Sequence, residues 1–387
     1  MKLAFLQNGV LESEATWSGI PLNILRTLRS LGHDVVVIDR LQPHAPMWAR
    51  IKTWFHRYAR KRLYLVNRDP RVIRAQAADG NRRLAALGRV DAVLVAYPPN
   101  AAFVRSSSPV ILIHDATWPL LLDYYPGHER ASLAEETIRG GMELERMGLA
   151  RCAHLIYSSH WAAGSAMKDF GVQPERISIA PLGASIANAP AREEVAGYLR
   201  RRGQGPMKLL FVGVQWLRKG GEVAVGVAAE IERRGIAVEL HVAGCDPEGN
   251  VPLFVRRHGM LRKDVDREAQ ELRGLQESCD FLLVPTRAEA FGIVFAEAAA
   301  FGLPVMAADT GGTRDAIKGG WGIAPPLDAP ANVYADWAIE LFRDRARYEE
   351  LAWMAREAYE KDLNWISFCR HIEQTVKRLK QASAAAG

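Results

Sequence analysis

The chain predicts an α/β fold of two successive domains, each a parallel sheet covered by helices, and three observations carry that expectation. Short apolar runs alternate with segments of helical periodicity along most of the sequence. The alternation breaks once, in the polar and charged stretch from Ala189 to Pro206, and then starts again. The length of 387 residues suits two domains, at ~100–200 residues for each.

Lys2–Gln7 and Asp34–Ile38 read as buried strands. Between them Ile20, Ile24, Leu28 and Leu31 recur at helical spacing, and Gly32 closes the helix. The same pattern returns at Asp91–Ala96, Pro109–His114, His154–Ser158 and Ile177–Ala180. After the expected boundary come strands at Lys208–Val212, Val238–Ala243, Phe281–Pro285 and Pro304–Ala307, with a helix at Glu222–Arg234. Ala335–Lys380 is helical, and Trp365, Phe368 and Ile372 mark a packing stripe near its end.

Composition narrows the class. Hydrophobic residues make up 49% and charged residues 24%, ordinary values for a globular chain. The four cysteines, Cys152, Cys245, Cys279 and Cys369, are scattered, which disfavours a disulfide framework or a zinc site and suits reduced thiols. Met1–Val10 is too short and polar for a signal peptide, and no apolar run approaches the ~20 residues of a membrane span. A cytoplasmic protein is expected, with membrane association on the cytoplasmic face left open.

Net charge is +6, and the excess is early. From Leu41 to Val90 there are twelve Lys and Arg against two acids, Asp69 and Asp79, with Trp48, Trp54, Phe55 and Tyr58 interleaved. One reading of the basic 48–89 region is peripheral contact with acidic lipid head groups or an anionic acceptor. The other is a solvated helical face with its apolar residues turned inward. Nucleic acid is not expected, because no recognition motif accompanies the charge.

Ligands of open α/β sheets bind beyond the carboxyl ends of strands, so the residues following each strand are the candidates. Gly19 stands at a helix N-terminus and permits close backbone approach, although an ordinary loop glycine fits as well. No GxGxxG follows, so a nicotinamide fingerprint is unsupported. His114 ends a strand beside Asp115, where it could bond a hydroxyl, act as a base, or simply cap a loop. Arg218 and Lys219 precede Gly220-Gly221 and a helix, an arrangement suited to clamping a diphosphate.

Glu289 and Glu297 lie eight positions apart, the first just before a helix and the second inside it. If Phe291, Gly292 and Ile293 open that helix, their N–H groups favour an anion. The glutamates would then stand at most roughly 12 Å apart, enough to grip two hydroxyl-bearing groups joined through a diphosphate. Asp309–Asp315, with Gly311-Gly312, is a strand-to-helix turn or a backbone contact. Asp264 and Asp266 are expected to cap a helix over Arg267–Ser278 in preference to holding a metal.

Taken together, these residues resemble the family-4 retaining glycosyltransferases, glycosyl transferases group 1. The carrying motifs are Glu289-x7-Glu297, Phe211-Val-Gly…Arg-Lys-Gly-Gly221, Ser158-Ser-His-Trp-Ala-Ala163 through Ile177-Ser-Ile-Ala-Pro-Leu-Gly183, and Trp17-Ser-Gly-Ile-Pro21. The resemblance implies a GT-B fold, two Rossmann-like domains facing a cleft. Residues 1–188 would bind the acceptor and 204–364 the nucleotide sugar, with the helix 365–387 crossing back to the N-terminal domain. It implies metal-independent, retaining transfer of a hexose from a nucleotide diphosphate sugar, most often UDP- or GDP-linked, without a further cofactor. The hydroxyl acceptor would be a sugar, a lipid-linked acceptor or a small molecule, in polysaccharide, glycolipid or glycoconjugate synthesis.

By the same resemblance Lys219 and Arg218 would stabilise the leaving diphosphate, Glu289 would hold the donor sugar, and Glu297 the ribose. Phe291, Gly292 and Ile293 would offer amides. His114 would meet the far edge of the sugar, Gly19 the diphosphate, and Gly259 and Met260 the base. Many members carry arginine where this chain has Val214, and glutamate where it has Asp315. A sugar-nucleotide epimerase of the same fold and a non-catalytic nucleotide-sugar-binding protein are the alternatives.

Overall fold

The computed structural model describes residues 1–385 apart from 15, 43, 44, 248 and 250. Ala386 and Gly387, at the end of the expected C-terminal helix, lie outside the described residues. The chain divides into two compact units. The first is Met1–Ala180 with the segment from Phe368 onward, and the second is Pro181–Ser367.

The first unit holds β1 (Lys2–Leu6), β2 (Asp34–Ile38), β3 (Ala92–Val95), β4 (Val110–His114), β5 (His154–Tyr157) and β6 (Ile177–Ile179). They form one parallel sheet in the order β2-β1-β3-β4-β5-β6. Its helices are α1 (Ile20–Ser30), α2 (Met47–Ala59), α3 (Pro70–Ala86), α4 (Pro98–Ala101), α5 (Trp118–Leu121), α6 (Glu135–Arg151) and α7 (His160–Phe170).

The second unit opens with α8 (Arg192–Arg201). Its strands are β7 (Met207–Val212), β8 (Val238–Ala243), β9 (Val255–Gly259), β10 (Phe281–Val284), β11 (Val305–Ala307) and β12 (Gly322–Ile323). They too are parallel, in the order β12-β11-β10-β7-β8-β9. Its helices continue with α9 (Gly221–Arg233), α10 (Asp266–Ser278), α11 (Ile293–Ala300), α12 (Thr313–Ala316), α13 (Ala331–Arg343) and α14 (Arg345–Lys361). The last helix, α15 (Trp365–Ala385), begins in the second unit and from Phe368 belongs to the first.

Local chemistry explains these elements. Every residue of β3 and of β10 is buried, as expected of strands covered on both faces. Helix α1 starts at Gly19 in the left-handed conformation with Pro21 in its first turn, and buries Ile20, Ile24, Leu25 and Leu28. Helix α11 has no polar face apart from Glu297, and all residues from Val294 to Ala300 are buried. Such a helix is stable only inside a core.

Two expectations need correction. The stretch Ala189–Pro206 is not an open linker, because α8 occupies most of it. Val195, Tyr198 and Leu199 recur at helical spacing and join the core of the second unit, leaving Arg192, Arg200 and Arg201 outside, while Arg202 is buried and donates to the Gly302 and Gln276 carbonyls. The division between the units falls earlier, after Ala180. Asp264 and Asp266 do not cap α10 either. The capping position is Val265, without a side-chain cap bond, and Asp266 is already helical.

Candidate active site

In the second unit, chain connections leave β7 and β10 in opposite directions across the sheet. Neighbouring strands of that kind open a crevice beyond their carboxyl ends, where ligands of such sheets bind. The loops that follow these two strands carry Lys219 and Glu289.

The loop after β7 is a tight fold that only glycine allows. Gly220 has φ 80°, and a Cβ there would fall 2.0 Å from the Pro285 carbonyl oxygen. A Cβ on Gly221 would strike the Trp216 ring at 2.1 Å, and that ring packs on Phe211 with centroids 5.2 Å apart. The turn presents Lys219, whose ammonium ion pairs with the Glu289 carboxylate. Arg218 Nη1 lies 3.8 Å from the same carboxylate oxygen and donates to the Ala288 carbonyl at 2.8 Å. The Arg287 amide donates back to the Arg218 carbonyl at 2.8 Å. Arg218 thus stitches the two loops together, and Lys219 is the cation directly on Glu289.

Three further features converge on Glu289. The Gly312 amide donates to its carbonyl at 3.1 Å, which draws in the turn Asp309–Asp315. Phe291 is buried beneath the loop. Gly292 caps α11 at φ 91°, where a Cβ would meet the Phe295 ring at 2.3 Å. Helix α11 begins at Ile293, and the N-terminal end of a helix favours an anion.

Glu297 is 1% exposed, and a carboxylate so deep needs a partner. Lys263 supplies it: its ammonium ion pairs with Glu297 and donates to the Ser185 carbonyl at 3.1 Å. Sequence reading missed this role, since Lys263 stands 34 residues before its partner. The deep Glu297 on an otherwise apolar helix was the available signal. Gly259 ends β9 at φ 66°, its carbonyl accepting from the Gly244 amide at 2.8 Å, and Met260 is exposed. The same short segment carries Lys263 to Glu297.

The first unit builds its strand ends differently. His114 closes β4 with its ring 5.2 Å from Trp17 and 6.0 Å from Tyr97, centroid to centroid. Burial, reinforced by the Arg68 charge, pushes its pKa down to about 3. The imidazole is therefore neutral across the physiological range and suits hydrogen bonding better than proton abstraction. Trp17, Ser18 and Gly19 all have positive φ, at 46°, 54° and 75°. For a tryptophan that backbone is strained. The indole Nε1 donates to Asp115 at 2.8 Å and holds the turn in place. Gly19 and His114 are thereby joined through Trp17.

Arg68 was hidden in the basic run. It is buried, with its guanidinium 3.9 Å from the Trp118 ring centroid, 4.8 Å from that of Tyr97, and Nη1 3.8 Å from Glu145. Burial raises the pKa of Glu145 to about 7 despite that neighbour.

With this geometry in view, the relatives can be placed. The family model Glycosyltransferase Family 4 matches residues 22–187, and Glycosyl transferases group 1 matches residues 206–344. The chain belongs to glycosyltransferase family 4. Among curated relatives, D-inositol 3-phosphate glycosyltransferase of Nocardia farcinica is 29% identical over 245 residues, covering 55% of this chain and 51% of its own length. The glycogen synthase of Mycobacterium tuberculosis is 30% identical over 43% of this chain and 41% of its own. The chain spans about half the length of the curated relatives it matches.

Solved structures agree on the GT-B fold of family 4. Sucrose-phosphate synthase from Thermosynechococcus elongatus superimposes with a TM-score of 0.70 at 17% identity, over 98% of this chain and 99% of that one. HepE from Anabaena, in complex with UDP-glucose, gives 0.63 at 14% identity, over 98% and 100%.

Proposed function

We propose that this chain is a retaining, metal-independent glycosyltransferase that moves a hexose from a nucleotide diphosphate sugar to a hydroxyl acceptor. The observation that carries the reading is the Lys219–Glu289 pair on the two loops beyond β7 and β10, beside the N-terminus of α11. A cation and helix amides suit a diphosphate, and a carboxylate suits sugar hydroxyls. The bound UDP-glucose of HepE favours a UDP sugar among the donors.

Each role follows from position. Lys219 offsets charge developing on the departing diphosphate, where fixed cations are most effective. Arg218 positions the loop and adds its own charge from slightly farther away. Glu289 orients the hexose, aided by the amides of Phe291, Gly292 and Ile293. Glu297, fixed by Lys263, takes the ribose hydroxyls, and the backbone at Gly259 and Met260 meets the base.

In the first unit, neutral His114 suits hydrogen bonding to a hydroxyl group, and Gly19 suits close backbone approach by a ligand. The bond from the anomeric carbon to the phosphate oxygen breaks as the bond to the acceptor oxygen forms on the same face. The acceptor proton passes to the departing phosphate, so no protein nucleophile is required. The buried free cysteines Cys152, Cys279 and Cys369 are consistent with a cytoplasmic setting.

A thermal-shift panel of UDP, GDP and ADP sugars tests the donor reading. A ligand at 100 times its Kd adds about 2.7 kcal/mol of stability. Flat melts throughout would overturn it.

A further inference from the structure

Helix α2 packs the wrong way round for an ordinary surface helix. Its inward positions are Ala49, Lys52, Thr53 and His56, a small and polar set at helical spacing. Its outward face carries Met47, Trp48, Ile51, Trp54, Phe55 and Tyr58, all exposed, with Trp54 at 62% and Ile51 at 60%. At ~100° per residue these six fall within an arc of about 120°. By contrast α1, of similar length, buries its apolar stripe. Of the two readings of this basic region, the one in which the apolar residues turn inward does not hold for α2.

The orientation is fixed from beneath. His56 is buried, stacks on Tyr64 with centroids 5.5 Å apart, and places Nε2 3.4 Å from Glu136. Lys52 ion pairs with the same glutamate and reaches within 4.0 Å of Asp69. Rolling the helix to hide its aromatic face would break these contacts and expose Ala49 and His56. The apolar arc is thus held outward by polar anchors.

Charge identifies what covers the arc. Arg50, Arg57, Arg60 and Lys61 flank it, all exposed, and among the described residues none has a carboxylate within ion-pair distance. Arg57 and Arg60 lie over the rings of Tyr58 and Phe55, at 5.9 and 5.5 Å. The two acids of the basic region are buried and already paired, Asp69 with Arg71 and Asp79 with Arg83. A second copy of the chain on this face would set cations against cations. Aromatic and aliphatic side chains bordered by unpaired arginines match the boundary between acyl chains and anionic head groups.

We propose that α2 lies in the surface of an anionic bilayer. Ile51, Trp54, Phe55 and Tyr58 enter the acyl boundary, and Arg50, Arg57, Arg60 and Lys61 meet the phosphates. The proposal does not depend on the donor reading.

Co-sedimentation of the full chain with vesicles tests it. One set is phosphatidylcholine alone, and the other carries about one-third phosphatidylglycerol. The chain is expected to pellet with the anionic set only, and to be released by high salt. The double variants Ile51→Ser/Trp54→Ser and Arg50→Ser/Arg57→Ser are each expected to bind roughly tenfold or more weakly. All four positions are exposed, so melting temperature and donor-dependent stabilisation should stay at the wild-type values.

Wild-type chain left in the supernatant with both vesicle sets would overturn the proposal. So would variants that pellet like wild type. A wild-type dimer that Ile51→Ser/Trp54→Ser converts to monomer, without vesicle binding, would assign the face to a second copy instead.

Discussion

Beyond the strands of Pro181–Ser367, lysines meet glutamates: Lys219 on Glu289 and Lys263 on Glu297. Beyond those of Met1–Ala180, aromatic rings enclose a neutral histidine and a buried arginine. Both sheets are six-stranded and parallel, so architecture does not cause the difference. One set of strand ends offers paired full charges, suited to a ligand that is itself charged. The other offers stacking surfaces, a neutral imidazole and a cation already held against aromatic rings, suited to hydroxyl-rich ligands. A shared fold supplies the place, and the loops supply the chemistry.

The largest expected effect breaks the charged side of this contrast. Lys219→Ala should lower kcat by roughly 10²–10³, the range for loss of one preorganised charge-stabilising group. Steady-state donor turnover, with circular dichroism as the fold check, measures it. A kcat near wild type would remove Lys219 from the mechanism.

Gly292→Ala comes next. It forces a Cβ into the Phe295 ring at a φ of 91°. Local strain of about 1–3 kcal/mol is expected, seen as a lower melting temperature together with weaker donor binding. An unchanged melt would mean that the turn relaxes freely.

Lys263→Ala should cost roughly 1–3 kcal/mol by leaving Glu297 buried without its cation. Lys263→Ala/Glu297→Gln should recover part of that stability but not donor affinity. Denaturant unfolding and donor titration separate the two. If the double variant recovers donor affinity as well, Glu297 has no ribose role.

The smallest effects sharpen the neutral side. Glu145, raised to about 7 from 4.5, binds its proton more tightly folded than unfolded, so its contribution to stability is lost as pH rises from about 4.5 through 7. His114, lowered to about 3 from 6.5, loses stability in the opposite direction, as pH falls below 6.5. Melting curves from pH 4 to 8 should flatten on the alkaline side in Glu145→Gln and on the acid side in His114→Asn. Profiles parallel to wild type in both would show that these groups do not titrate as their burial implies.

Much of this was legible in the sequence because it rests on periodicity. Apolar runs such as Phe281–Val284 and the stripe through Ile20, Ile24 and Leu28 are local patterns. The glutamates, Lys219 and the glycines were found because they follow strands directly. Three things were not legible. Helix α8 hid its three apolar residues among arginines. Lys263 and Arg68 act through partners 34 and 77 residues away, and no local pattern records such pairings. The polarity of α2 could be read as an amphipathic helix but not as to which side faces out, since that depends on Glu136, 80 residues beyond His56, and on how the chain after α2 folds Tyr64 back onto it.

The path of α15 has a consequence for how the protein is made. Phe368, Cys369, Ile372 and Val376 are buried in the first unit, Cys369 Sγ lies 3.7 Å from the Ile24 carbonyl, and His371 bonds Ser178 at 2.7 Å. Chains emerging from the ribosome usually complete their leading domain first. Here the leading domain waits for residues at the trailing end, so the second unit can be finished while the first still lacks a wall. A nascent chain stalled before Phe368 should therefore expose the apolar surface around α1 to chaperones, although all of that surface was translated long before.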